Sequence, residues 1–292
     1  MKKIVSLIIA AICTFSLVGC VDQSQERSNV SSDEVRIVAT SVTVCDILSK
    51  LGLDVVGVPT TSYELPEEYK GIKEIGSPMS PDMEIVKSLN PTDVIGTKTL
   101  MNELKTKYDN IGVNSTFINL RSVTGMYKSI QDLGEKYNKE KEATELIEDF
   151  YEFIDEYQSR NIGKDSPRVL ILMGLPGSYL VATENSYAGS LVKMAGATNV
   201  FKEKTTEEFV NVNTEELLKL NPDIILRTSH ALPEQVAEMF AKEFETNDVW
   251  KHFTAVQNGK VYDLDNNLFG MSANFKYKDA LERLQVILYG ED

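Results

Sequence analysis

The chain is short of the residues from which most catalytic and metal sites are built. Histidine occurs only as His230 and His252, which argues against an imidazole-rich zinc or manganese centre. Cysteine occurs only at Cys13, Cys20 and Cys45. The first two fall in or at the end of an amino-terminal leader, so the mature chain has no pair for an internal disulfide. No Gly-x-Ser-x-Gly elbow is present, and a Ser-His-Asp hydrolase is weakly supported. Basic residues are scarce: 30 Lys and Arg face 44 Asp and Glu, for a net charge of −14. That balance argues against nucleic acid, which needs a basic face, and is awkward for a receptor of anions. Long hydrophobic runs are absent after the first twenty residues, which excludes a multi-span membrane protein. What remains, 292 residues that are 42% hydrophobic, suits one large or two ordinary globular domains with real cores.

The start reads as an address. Met1-Lys2-Lys3 precedes an apolar run from Ile4 to Val18, too short to span a bilayer comfortably and suited to a signal peptide. Leu17-Val18-Gly19-Cys20 has the form of a lipobox, with Cys20 as the lipidated residue, and Asp22 to Ser32 is a polar tether. Loss of Lys2 and Lys3 leaves 28 basic residues against 44 acidic ones. The expected mature protein is exported and anchored by lipid on the outer face of the cell membrane.

Strands are expected at 35–40, 54–58, 93–96, 115–118 and 168–173, with helices at 43–51, 82–89 and 102–110 between them. Such alternation predicts parallel sheet. From Val123 to Asn161 no proline occurs, and apolar residues recur every three or four positions, with Gly125 and Gly134 as candidate breakers. The expected architecture is α/β: two Rossmann-like lobes (35–121 and 164–292) joined by one long helix (122–163), with a ligand cleft between them. Residues 1–19 would be the signal and 20–34 the lipidated tether.

An internal repeat supports related lobes. Glu84-Ile85-Val86-Lys87-Ser88-Leu89-Asn90-Pro91-Thr92-Asp93-Val94-Ile95 resembles Glu215-Glu216-Leu217-Leu218-Lys219-Leu220-Asn221-Pro222-Asp223-Ile224-Ile225, with one residue fewer in the second turn. Each copy places an acid in the first turn of a short helix, favourable to the helix dipole, and Asn-Pro then turns the chain into a buried strand. A helix, Asn-Pro and strand also make a common αβ unit without any common ancestry.

Lipobox, paired lobes, long helix and doubled Asn-Pro signature resemble the substrate-binding lipoproteins of iron-siderophore, cobalamin and haem ABC importers. The resemblance is nearer to the haem receptors, through stretches such as 169–183 and 247–253. It implies a haem carrier, not an enzyme, with iron held by a Met of the first lobe and a His of the second. The matching residues are Met79, in Ser77-Pro78-Met79-Ser80-Pro81, and His230, after Ile224-Ile225-Leu226-Arg227-Thr228-Ser229. It further implies that Glu84 and Glu215, or the adjacent Glu216, dock on the permease, which works with an ATPase, and that a surface protein upstream donates the haem. Read without the resemblance, a loop methionine is often core filler and a lone histidine a surface residue; a thioether with an imidazole suits haem iron and poorly suits Ca²⁺ or Mg²⁺.

For the haem propionates, the free N–H groups at Val42 and Thr43 are candidates, as are Ser62, Tyr63, Ser178 and Tyr179, each at a predicted strand end and each readable as plain loop or cap. His252 reads as structural or surface, and Cys45 as a small buried hydrophobe. The alternatives are a ferric-siderophore or cobalamin receptor, and an exported haem-degrading enzyme or hydrolase. The degrading enzyme would need the open iron position that a Met/His pair closes.

Overall fold

The structure, a computed structural model, describes residues 35–202 and 205–290. The leader, Cys20 and the tether lie outside the described residues. Among the described residues no helix is long and apolar enough to cross a membrane, and no cluster of three or more His, Cys, Asp or Glu is placed to hold a metal ion.

The first sheet grows from β1 (Ile37–Ala39), α1 (Val42–Lys50) and β2 (Val55–Gly57). The two-residue strands β3 (Gly76–Ser77) and β4 (Ser80–Pro81) follow, then α2 (Met83–Ser88), β5 (Asp93–Thr97), α3 (Met101–Asn110) and β6 (Ser115–Ile118). The long strands pair in parallel in the order β2-β1-β5-β6. All three residues of β1 are fully buried, as expected for a parallel strand covered on both faces. Val44, Cys45, Ile47 and Leu48 form the buried stripe of α1. Cys45 is the expected buried hydrophobe: burial first, then the charge of Asp46, pushes its thiol up to about 12.

The stretch 122–163 is not one helix, which corrects the expectation. α4 (Val123–Tyr137) ends at Asn138, in left-handed conformation at φ 56°, and α5 (Glu140–Ser159) begins two residues later. Asparagine tolerates that conformation, and the Lys139 N–H closes the helix end on the Gly134 carbonyl at 2.7 Å. The helices fold back on each other. Tyr127 and Phe150 stack with ring centroids 4.3 Å apart, whereas a straight helix would hold residues 23 apart by roughly 35 Å. The glycines read as breakers lie inside α4. A Cβ on Gly134 would stand 2.6 Å from the Ala143 Cβ, so its bare backbone is what lets α5 approach. The long helix between the lobes is therefore α5, of 20 residues.

The second sheet uses β7 (Arg168–Leu175), β8 (Ser178–Ala182), β9 (Thr198–Asn199), β10 (Phe209–Val210), β11 (Ile224–Ser229) and β12 (Val261–Asp263), with α6 (Tyr187–Met194), α7 (Thr214–Lys219), α8 (Pro233–Thr246), α9 (Thr254–Gln257) and the closing α10 (Tyr277–Tyr289). Its order is β10-β8-β7-β11-β12, with β9 beside β7. β7, β9, β11 and β12 run parallel, while the β7–β8 hairpin and β10 make its other edge antiparallel.

The repeat holds down to single hydrogen bonds. Asp82 caps α2 and Asn213 caps α7; Leu89 and Leu220 end them; Asn90 and Asn221 follow at φ 46° and 44°. Arg36 donates to the Leu89 carbonyl and Arg168 to that of Leu220. The Arg36 N–H bonds Thr92 Oγ1, and the Arg168 N–H bonds Asp223 Oδ2. Strand register pairs Ile37 with Asp93 and Val169 with Ile224. Asp93 therefore occupies the position of Ile224, and the second copy lacks no residue, contrary to the expected deletion. Buried Asp93 holds its place because Lys136, Thr116 Oγ1 (2.8 Å) and Tyr137 OH (2.7 Å) converge on its Oδ2.

One apolar core runs through both lobes along α4, α5 and α10. Tyr127 and Tyr277 share a hydroxyl contact at 3.2 Å, and Tyr157 donates to the Leu281 carbonyl at 2.9 Å. A second cluster under α7 and α8 belongs to the second sheet alone and contains Trp250.

Candidate functional site

In open α/β sheets, ligands meet the loops at the carboxyl ends of the strands. Those ends face each other here. Leu120, beyond β6, accepts from the Ala273 N–H at 2.8 Å, and the segment carrying Ala273 is tied to β11 by Thr228 Oγ1 donating to the Phe269 carbonyl. Glu208, buried beside the second sheet, receives Thr99 Oγ1 at 3.2 Å from beyond β5. Arg121 Nε, from beyond β6, stands 2.8 Å from the same carboxylate oxygen, off the hydrogen-bonding line. Burial pushes the Glu208 carboxyl up and the Arg121 charge pulls it back down.

Met79 sits at the tip of the β3–β4 hairpin. Gly76 pairs with Pro81 and Ser77 with Ser80, leaving Pro78-Met79 as a two-residue loop, with proline where a turn wants fixed φ. Gly76 has φ 95°, and a Cβ there would come 3.0 Å from the Ser80 carbonyl oxygen, so the hairpin needs glycine. The Thr60 N–H bonds the Gly76 carbonyl at 2.9 Å, holding the hairpin against the end of β2. Met79 is 62% exposed and belongs to no core cluster, which removes the core-filler reading.

His230 is the first residue past β11. Its N–H extends the ladder onto the Gly174 carbonyl at 3.1 Å. Its ring is exposed and has no partner among the described residues. The carboxyl end of β7 turns there into β8, so Ser178 and Tyr179 share this edge. Ser178 is exposed. The ring of Tyr179 instead packs 6.0 Å from those of Phe240 and Trp250, and its hydroxyl meets Thr214 Oγ1 at 2.8 Å. That side chain is committed to the second core.

In the first lobe, Ser41 caps α1 by accepting from the Val44 N–H at 3.4 Å. The N–H groups of Val42 and Thr43 have no acceptor among the described residues. Such donors at a helix start suit a carboxylate. Ser62 is exposed, and Tyr63 is 55% exposed. Glu84 and Glu215 occupy the same second position of α2 and α7, both exposed, which makes Glu215 rather than Glu216 the repeat partner of Glu84. His252 is exposed at the end of a short 3₁₀ turn, a surface residue as expected.

Leu232 was not anticipated. It lies two residues past His230, is 52% exposed, and takes φ 50°, ψ 59° immediately before α8. That conformation costs an L-residue with a branched side chain on the order of 1–2 kcal/mol. Tyr63, Met79 and Leu232 are three of the five large apolar side chains exposed among the described residues, and all three sit on loops at strand ends. The sequence signal was an apolar residue between the histidine and a helix-opening proline, where helical periodicity alone assigns no face.

The chain matches the family described as periplasmic binding protein over residues 37–268. It is 43% identical over 290 residues, 99% of both chains, to the high-affinity heme uptake system protein IsdE of Staphylococcus aureus. The crystal structure of S. aureus IsdE complexed with heme superimposes with a TM-score of 0.82 at 45% identity, covering 88% of this chain and 99% of that one. An ABC transporter substrate-binding protein of Listeria monocytogenes EGD-e gives a TM-score of 0.84 at 47% identity over 88% of this chain and all of that one.

Proposed function

The chain belongs to the periplasmic binding protein family, and from that premise we propose that it is a haem receptor that carries its cargo to an ABC permease. It is a binding protein, not an enzyme. The observation that carries the proposal is end-to-end similarity to a heme uptake protein whose relative's structure was solved with heme, together with a thioether and an imidazole left exposed on a hairpin tip of the first lobe and a strand end of the second.

Met79 and His230 are the axial ligands in this reading. The chemistry fits: neither side chain has a competing partner, and a neutral imidazole with a soft sulfur is a pair that haem iron accepts. Val42, Thr43 and Ser62 would meet propionate, with Tyr63 and Ser178 at the rim and Tyr179 acting only by supporting its own hairpin. Arg121 and Arg227 are engaged by Glu208 and Asp263, so neither is offered to an acidic siderophore. This favours the porphyrin over the siderophore reading.

Delivery follows from the two matched glutamates. Glu84 and Glu215 would meet basic groups on the two halves of the permease and ATPase assembly, with charge complementarity setting the register. The remaining parts are a signal at 1–19, lipidation at Cys20 with a tether to residue 34, lobes at 35–121 and 164–292, and the helical pair between. This arrangement places the receptor on the outer face of the membrane, where a surface donor can reach it.

The test is optical. Protein lacking its leader, reconstituted with haem, gives a low-spin His/Met spectrum; Met79→Ala weakens binding and keeps a His-bound species. An unchanged spectrum in His230→Ala refutes the ligand assignment.

A further inference from the structure

Four described residues other than glycine have positive φ: Asn90, Asn138, Asn221 and Leu232. Three are asparagine, which adopts this conformation readily because its short polar side chain bonds locally. Each of those three does a turn's work, two ending the repeat helices and one separating α4 from α5. At the fourth position, beside the histidine, the chain carries a branched apolar residue instead. Pro233 disfavours helical backbone at residue 232 but leaves extended backbone open, so the proline does not by itself require the left-handed form. Nor does core packing: Leu232 belongs to no buried cluster and is 52% exposed. It borders a depression of about 220 Å³ shared with Pro233, Glu234 and Gln235. An apolar side chain kept in a costly backbone state, in solvent, two residues from a ligand candidate, points to an apolar contact made only when ligand is present.

We propose that Leu232 is a ligand-retaining residue, whose left-handed backbone holds its side chain against the flat apolar face of the bound ring and slows its escape. The proposal rests on the haem reading above and adds to it a residue that touches porphyrin carbon rather than iron. The strain is carried by the free protein and is compensated when the leucine leaves water.

Three variants separate the parts. Leu232→Asn and Leu232→Gly accept the backbone and remove the apolar contact; Leu232→Met keeps the contact. The measurements are haem loss to excess apo-globin and the melting temperature of the haem-free protein. Removing most of one side chain's apolar contact is expected to speed haem loss about ten-fold in the Asn and Gly variants. Leu232→Met should release at the wild-type rate, and haem-free Leu232→Asn should melt no lower than wild type, all with the His/Met spectrum intact. Haem loss at the wild-type rate in both the Asn and Gly variants overturns the proposal while leaving the haem reading in place. So does equally fast loss from the Met variant, or a lower melting temperature for haem-free Leu232→Asn. Wild-type protein that takes up no haem at all overturns both.

Discussion

Arg121→Ala should weaken the junction between the lobes in a way that acid reverses. Glu208 is 6% exposed, and its charge is answered by Arg121, whose side chain is 38% exposed, and by the Thr99 hydroxyl. Removing one partner of a fully buried pair costs about 3–5 kcal/mol. Here the arginine reaches solvent, the contact is off the hydrogen-bonding line, and Thr99 stays, so about 1–3 kcal/mol is expected. For a chain of this size that lowers the melting temperature by roughly 2–5 °C.

The sign of the pH dependence follows from Glu208. Burial raises its pKa in the folded state above the ordinary 4.5, with Arg121 opposing and neighbouring Glu207 adding to the rise. A raised acid contributes stability that is fully present below the unfolded value and is lost as pH rises through the folded one. Without Arg121 the folded value climbs further. The variant's deficit is then largest at high pH and shrinks as Glu208 takes up a proton on acidification. Thermal unfolding of wild type, Arg121→Ala and Arg121→Ala/Glu208→Gln at pH 7.5 and pH 5 checks this, with the double variant expected to recover most of the loss at pH 7.5. An equal deficit at both pH values, unrescued by Glu208→Gln, would show that the arginine acts through packing and not through charge.

Gly134→Ala gains about 1 kcal/mol of helix propensity but drives a methyl to 2.6 Å from the Ala143 Cβ and 3.1 Å from the Lys139 carbonyl oxygen. Overpacking at about 1–3 kcal/mol wins, and a lower melting temperature is expected; a higher one refutes the close-approach role. Asp93→Asn weakens three donors' hold on one buried carboxylate oxygen and should cost about 1–3 kcal/mol in urea unfolding; no change means the cluster is incidental. Glu84→Lys with Glu215→Lys, both exposed, should shift stability by less than about 0.5 kcal/mol and leave haem binding intact while abolishing uptake through the reconstituted permease. Normal uptake would remove the docking assignment.

The strands of the first sheet and the helix-to-strand repeat were legible because their signals are local: β-branched runs, an N-cap, and Asn-Pro at each turn. The break at Asn138 was not. A polar residue inside a helical period looks like an exposed helix position, and only the paired requirement for a left-handed cap and a bare Gly134 reveals the hairpin. The repeat's register was misread because Asp93 replaces an apolar residue at a buried strand position, which slides the apparent match by one toward Val94. Met79, in a loop between two prolines, and His230, straight after a strand, stood out in the sequence as residues with no apolar stripe to join. The direction of Tyr179 was not visible, since a hairpin tip does not disclose that Phe240, Trp250 and Thr214 wait on one side of it. Leu232 escaped because its meaning lies in φ, which composition does not encode.

The excess of acid, awkward at first for a dianionic porphyrin, has a structural resolution. α5 carries much of it, with Glu140, Glu142, Glu145, Glu148, Asp149, Glu152, Asp155 and Glu156 in 20 residues, and α5 packs on α4 and α10 rather than at the strand ends. The strand-end loops offer instead two uncommitted N–H groups, a serine hydroxyl, and apolar side chains held out in solvent. The same helices also limit how those loops can move. The stacked rings of Tyr127 and Phe150, and the ring of Phe153, each meet Tyr277 edge-on from α10, Lys278 reaches Asp149 at 2.8 Å, and Arg160 grips Glu282. Hinged closure would have to shear this apolar and ionic seam, whereas the β3–β4 tip and the segment from His230 to Leu232 can shift without disturbing it. On the haem reading proposed above, ligand exchange would fall to these loops, with the lobes acting as a fixed frame.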